Sequence, residues 1–297
     1  MIDFKKIKLI PISQRKNKFS IEDSISLENN IFLENEDLKE LSEKIIEARR
    51  NNKQIIFMLG AHSLKVGLSL ILIDLIKKGI ITHLAVNGAF PIHDFEIALI
   101  GKTSESVENT IENGTFGFAK ETLEFINEAA KQGAEHNLGY GESIARKMDK
   151  SNLKYKNLSV LYNAYKDNIP LTIHTAIGTE IIYQYPECSG EAIGKCSYND
   201  FKLFTDSISK LQDGVILNIG SAVILPEVFL KALSIARNLD FSVKNFIAAN
   251  LDMINHYRPR VNVVERPTSL GGKGFNIIGK HQETIPTLHK LILNKLN

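Results

Sequence analysis

The sequence predicts an α/β fold: a single doubly wound, mostly parallel sheet with helices on both faces. Three observations predict it. Short apolar runs alternate with amphipathic ones along the 297 residues, as they do when strands are joined by crossover helices. Four apolar runs end in a small-residue turn carrying glycine, the way strands end where a parallel sheet presents its ligand edge. No break in composition and no internal repeat marks a second domain, so 1–297 is expected to form one domain, with 1–35 as an N-terminal arm.

The elements follow in order. Residues 1–35 are polar and irregular, with Pro11 and several turn formers. A helix is expected over 35–53, where Leu38, Leu41, Ile45, Ile46 and Ala48 recur at helical spacing. The next stretch reads as strand 54–59, a turn at Gly60-Ala61-His62, helix 64–78 and strand 81–86. That is a βαβ unit, which packs as adjacent parallel strands with a right-handed crossover. A helix over 115–133 is expected to end at Gly133. Residues 169–182 read as a strand running into a glycine turn, and 198–211 as a helix. Another strand, glycine turn and helix fill 214–239, and 245–252 reads as the last strand. The glycine-rich "GGKGFNIIGK" reads as a loop or hairpin, and a helix over 284–296 closes the chain.

Composition narrows the partners. Hydrophobic residues make up 43% and charged residues 24%, ordinary for a globular chain. A formal net charge of +2, from 36 basic against 34 acidic residues, gives no reason to expect a nucleic-acid partner. The most apolar segment, 67–79, is too short to span a bilayer and holds Asp74, so no membrane partner is expected. Cys188 and Cys196 have neither CxxC spacing nor a nearby histidine pair, which argues against a metal and for a reducing compartment. The first twenty residues lack a signal-peptide apolar region, so a cytoplasmic location is expected.

The ligand-edge rule selects four turns: Gly60-Ala61-His62-Ser63, Asn87-Gly88-Ala89, Gly178-Thr179-Glu180 and Gly220-Ser221. Glycine lets a ligand approach the backbone, and helix N-termini there attract phosphate. Neither GxGxxG nor GxxxxGK[ST] occurs, so a nucleotide reading rests on the convergence of the turns alone. His62, His93 and His174 fall on the same edge, whereas His83 sits inside a strand run and reads as structural. His93 and Glu96 are three apart and share a helix face. The adjacent His93 and Asp94 are expected to face different partners. Arg258, Arg260 and Arg266, near Tyr257, could clamp a carboxylate or phosphate, or belong to a solvated loop or to salt bridges with a neighbouring subunit.

Taken together, the blocks "GAH", "GLS", "NGA" with "IHDFE", "HTAIGT" and "HYRPRVNVVERP" resemble the deoxyhypusine synthase family, over roughly residues 5–295. The likeness is strongest to its shorter bacterial deoxyhypusine synthase-like branch. The resemblance implies a Rossmann-like sheet, a homotetramer of tight dimers, and NAD bound near a subunit interface. The true synthases oxidise spermidine with NAD and pass an aminobutyl group through an enzyme lysine to a lysine of a translation-factor precursor. Two departures stand out. Where those enzymes carry two glutamates before an aspartate, this chain keeps Asp94 but has Ile92 and His93. Where their covalent lysine stands, this chain has Leu225, which cannot form an imine.

Authentic deoxyhypusine synthesis is therefore not expected. The leading expectation is an NAD-dependent transferase or oxidoreductase acting on a small amine, with homospermidine-type aminobutyl transfer as one version. Its catalytic residues would be His93 and Asp94, and its substrate contacts Glu96, His174 and Glu180. NAD would be lined by Gly60, His62, Ser63, Asn87, Gly88, Ala89, Gly178, Thr179, Gly220, Ser221 and Asp252. The alternatives are a non-catalytic nucleotide-binding relative, or a different reaction on an anionic small molecule gripped by the arginines. The expected partners are a small-molecule substrate and further copies of the chain.

Overall fold

The computed structural model describes residues 2–296, and of Asn109 the backbone alone. Along the chain β1 (Asn17–Ser20) and α1 (Glu36–Arg50) lead to β2 (Ile55–Leu59), α2 (His62–Lys65), α3 (Ser69–Lys77) and β3 (His83–Asn87). Then come α4 (Phe90–Ile100), β4 (Lys102–Glu105), α5 (Val107–Glu112), α6 (Lys120–Glu135), α7 (Tyr140–Lys150) and α8 (Val160–Lys166). The second half runs β5 (Leu171–His174), α9 (Gly190–Ser209), β6 (Val215–Ile219), α10 (Ile224–Asn238) and β7 (Ile247–Asp252). Short α11 (Tyr257–Pro259) and α12 (Arg266–Thr268) flank a π-helical stretch, before β8 (Lys273–Ile278) and α13 (His281–Leu296).

Six strands form one parallel sheet in the order β5-β3-β2-β6-β7-β8. Numbered by their own succession this is 3-2-1-4-5-6, the Rossmann order, whose direction reverses between β2 and β6. β2 is "IIFML" and buried throughout, as a central parallel strand must be. Its alternation divides the interior. Ile55, Phe57 and Leu59 enter a core with α1, α3, α4, α6 to α8 and α13. Ile56 and Met58 enter a second core with Phe204 and Ile208 of α9 and Phe229 and Ala232 of α10. Helices on both faces follow from side chains that alternate along a strand.

Helix α1 shows why these residues form these elements. Asn35 caps it by accepting from the Leu38 N–H, Glu36 and Asp37 lie in its first turn, and Arg49 and Arg50 in its last. Its buried stripe is the one the sequence spacing predicts.

The structure departs from the sequence reading in four places. The helix expected over 64–78 is two, broken at Gly67, whose φ is +79°. The N-terminal arm crosses there: the Ile25 N–H donates to the Gly67 carbonyl at 2.9 Å, and a Cβ on Gly67 would lie 2.8 Å from the Asp23 carbonyl oxygen. Gly133 lies inside α6 instead of ending a helix, because a Cβ there would lie 1.9 Å from Ser143 Oγ of α7. The glycine-rich stretch expected as a loop or hairpin contains the sixth strand, β8, so 245–252 is not the last strand. Its glycines permit close packing, since a Cβ on Gly272 would come within 2.3 Å of the Phe246 carbonyl oxygen. Finally, β1 pairs antiparallel with β4, so the arm adds a small ribbon that the polar sequence did not announce.

Candidate functional site

The strand order creates a crevice between the carboxyl ends of β2 and β6, and the turns there are packed backbone to backbone. The Gly60 N–H donates to the Ile219 carbonyl at 2.8 Å, and a Cβ on Gly60 would sit 2.0 Å from the Gly220 carbonyl oxygen. Gly220, with φ +66°, lies against His281. The buried Ser63 hydroxyl donates to the Gly60 carbonyl at 2.9 Å, and Ser221 Oγ accepts from the Leu225 N–H at 3.3 Å. Both hydroxyls therefore hold the turns in shape. His62 and His281 face each other at 5.3 Å between ring centroids. Burial, followed by His281 and Lys65, pushes the His62 pKa down against the pull of Asp252. Asp252, at the end of β7, accepts from the Met253 N–H through Oδ1 at 2.7 Å.

Beside this crevice, toward β3 and β5, lies a cavity of about 280 Å³. Asn87 closes β3 and accepts from the Phe90 N–H at 3.2 Å, which fixes the entry to α4. A Cβ on Gly88 would lie 2.2 Å from Glu180 Oε1, so glycine there lets Glu180 lie against the turn. Ala89, Ile92, His93 and Glu96 of the α4 region form one wall, and Ser104 and Glu105 of β4 another. Thr179, Glu180 and Ile181 come from the turn after β5, whose Gly178 has φ +92°. Lys65 of α2 reaches in from the crevice side, and Arg15 from the N-terminal arm.

A buried chain of polar groups organises this cavity. Arg15 grips Glu96 with two hydrogen bonds of 2.7 and 2.6 Å, the side chains being only 3% and 1% exposed. Glu96 also accepts from Thr103 Oγ1 at 2.5 Å and Thr122 Oγ1 at 3.1 Å, so the buried pair is satisfied on all sides. Thr103 has one hydroxyl proton, and Glu96 takes it. His93 Nδ1 lies 2.7 Å from the same oxygen, so Nδ1 must be the protonated ring nitrogen. Nε2 is then a bare acceptor, with no hydrogen-bond partner among the described residues. Burial holds the His93 pKa down to about 4, with Glu96 opposing and Lys65 and Arg15 adding, so the imidazole is neutral at neutral pH.

Two residues expected to meet substrate point elsewhere. Asp94 is fully buried and accepts from Ser159 Oγ and from the N–H groups of Val160 at 2.8 Å and Leu161 at 3.3 Å. It caps α8, one residue along α4 from His93 but on another face. Burial pushes its pKa up to about 6 against those hydrogen bonds. His174 lies on the opposite face of the sheet, 3.0 Å from Thr172 Oγ1 and edge-on to Phe204, and burial pushes its pKa down to about 3. The alternation of β5 sends Leu171 and Ile173 toward the core on the cavity side and Thr172 and His174 away from it. Leu225 is fully buried in the core under α10. Arg258 pairs with Glu227, Arg260 with Glu265, and Arg266 donates to Asn262, so the arginine cluster is occupied locally.

Sequence reasoning missed Arg15, Lys65, Thr103 and Glu105. Lys65 carried a signal, lying one helical turn from His62. Arg15 carried none, since its partner is 81 residues away.

No family model and no curated protein matches the chain. Solved structures do match in shape. A protein from Entamoeba histolytica assigned as a deoxyhypusine synthase aligns over 87% of each chain, with TM-score 0.51 and 10% identity. AgrE, in its ternary complex with ornithine and NAD+, aligns over 89% of this chain, with TM-score 0.54 and 11% identity. ArgZ, an arginine dihydrolase from the ornithine–ammonia cycle in cyanobacteria, aligns over 86% of this chain, with TM-score 0.52 and 14% identity. The fold is deoxyhypusine synthase-like. The chain spans about a third of the length of ArgZ and AgrE. Among the described residues no helix is long and apolar enough to cross a membrane.

Proposed function

We propose that the chain is a deoxyhypusine synthase-like relative without the covalent lysine, which binds NAD and acts on a small amine as a transferase or oxidoreductase. Homospermidine-type aminobutyl transfer is one version of this reading. The observation that carries it is His93, which lines a cavity next to the sheet's switch-point crevice and whose Nε2 has no hydrogen-bond partner among the described residues.

The crevice residues fit a dinucleotide in kind. Gly60 and Gly220 keep the turns small, Val223 beyond β6 is exposed, and one oxygen of Asp252 takes no donor among the described residues. Gly60, His62, Ser63, Gly220, Ser221 and Asp252 would hold the cofactor, with Asn87 and Gly178 at the cavity side. NAD supplies a hydride acceptor for a carbon that bears nitrogen. His93 is the candidate acid/base: its Nε2 accepts a hydrogen bond from the amine nitrogen because Thr103 and Glu96 fix the ring's other nitrogen as the donor, and its pKa of about 4 makes it a weak base that holds a proton only in passing. Ala89 and Thr179 line the cavity. That AgrE, a third of whose length shares this fold, forms a ternary complex with ornithine and NAD+ supports the pairing of this cofactor with an amine.

A binding-only role is the second reading. It is favoured by Leu225, fully buried where the family's lysine would stand. One experiment separates the two: identify any dinucleotide that co-purifies, then measure NADH formation with spermidine, putrescine, homospermidine and L-ornithine. NADH formation that drops about 10²-fold or more in His93→Gln supports the enzyme. Bound NAD without turnover on any amine supports the second reading, and no dinucleotide binding at micromolar concentration removes both.

A further inference from the structure

The charges around the cavity do not all cancel, and their remainder describes a ligand. Arg15 and Glu96 neutralise each other in a closed pair, and His93 is neutral. Three charged side chains are left: Glu105, Glu180 and Lys65. None of the three has an ion-pair partner among the described residues. Glu180 is 8% exposed, its Oε1 accepts the Ala176 N–H at 3.3 Å, its Oε2 has no donor in good hydrogen-bond geometry among the described residues, and burial pushes its pKa up against nearby hydroxyls of Thr179 and Tyr183. Glu105 accepts the Gly117 N–H through Oε2 at 3.0 Å, and its Oε1 has no donor either. A buried carboxylate oxygen without a donor is costly, and a ligand ammonium carries three donors for such sites.

We propose that this cavity takes a small diamino acid, with its two ammonium groups on Glu105 and Glu180 and its carboxylate on Lys65. This rests on the cavity being the substrate site of the reading above, and it names the substrate's chemical class. Two negative charges and one positive charge in the wall mirror two positive charges and one negative charge in the ligand. A polyamine satisfies the carboxylates but leaves Lys65 without a counter-charge. An amino acid with an apolar side chain satisfies Lys65 and leaves one carboxylate alone. A partly buried charge left without a counter-charge costs enough to decide between these ligands. The volume, about 280 Å³, is that of a small metabolite.

Calorimetric titration of the full chain, with and without saturating NAD, tests this with L-ornithine, putrescine and L-norvaline as probes. L-Ornithine is expected to bind about tenfold or more tighter than either of the others. Lys65→Met should abolish the advantage over putrescine and Lys65→Arg should keep it. Glu105→Gln should shrink the advantage over L-norvaline. Putrescine or L-norvaline binding as tightly as L-ornithine to the unmodified protein overturns the proposal, as does the absence of binding by all three. NADH formation is read separately. Selective L-ornithine binding without turnover upholds the site and fails the redox reading, whereas turnover of putrescine with no L-ornithine binding does the reverse.

Discussion

At the scale of single residues, His93 shows how a hydrogen-bond chain can assign a chemical role. One proton on Thr103 settles which imidazole nitrogen carries hydrogen, because Glu96 is already committed to Arg15. The same burial has a consequence for stability. A histidine titrating at about 4 when folded and near 6.5 when unfolded binds its proton first in the unfolded chain. Its contribution is therefore present above about 6.5 and is lost as pH falls toward 4. Asp94 and Asp200, whose pKa values burial raises to about 6 and about 8, act in the opposite sense. The difference between His93→Gln and the unmodified protein isolates the histidine: its denaturant midpoint should fall less steeply between pH 6.5 and 4. Parallel slopes would mean that His93 is solvated.

At the scale of elements, Asp94 belongs to the architecture of α4 and α8 more than to the cavity. It satisfies two N–H groups and the Ser159 hydroxyl at the start of α8, and Ser159 in turn accepts from the Tyr162 N–H. Asp94→Ala strips a buried cap and leaves its donors without acceptors. It should lower stability by about 2–3 kcal/mol, seen as a lower midpoint in chemical denaturation. Asp94→Asn, which keeps one acceptor oxygen, should lose less. A variant of unchanged stability but no turnover would return Asp94 to the chemistry. The glycines at element junctions teach a related lesson. Gly67, Gly133 and Gly272 fall, in the sequence reading, inside a helix, at a helix end and in a loop or hairpin, yet each marks a place where another segment comes too close for a Cβ.

At the scale of the whole molecule, the N-terminal arm completes the site. Arg15 crosses 81 residues of sequence to close the buried pair with Glu96, and β1 holds the arm in place on β4. Arg15→Met leaves a buried carboxylate unpaired. It is expected to cost about 3 kcal/mol or more, and to raise KM for the amine as the cavity wall loosens. A variant with wild-type stability and KM would show that the arm is incidental. The carboxyl edge of the sheet also exposes Ile177, Val223, Ile254 and Tyr257, from the loops that follow β5, β6 and β7. Such apolar side chains suit contact between copies. Light scattering is expected to give a multiple of the single-chain mass, falling to one chain in an Ile254→Asp, Tyr257→Ser double variant; a monomeric unmodified protein would contradict this.

The parallel sheet was legible in the sequence because buried strands must be apolar runs, and the turns after β2, β3, β5 and β6 because a chain leaving a buried strand needs small residues. His93 was legible as a group on the ligand edge for the same local reason. What the sequence by itself determined was thus local: period, turn chemistry and the side of the sheet on which ligands collect. Tertiary structure alone decided that Asp94 caps α8, that His174 faces the far core, that Arg15 and Glu105 join the cavity, and that Thr103 stands buried behind its wall between His93 and Glu96. Those outcomes depend on which distant donors and acceptors arrive at the same buried point, and no spacing along the chain encodes that.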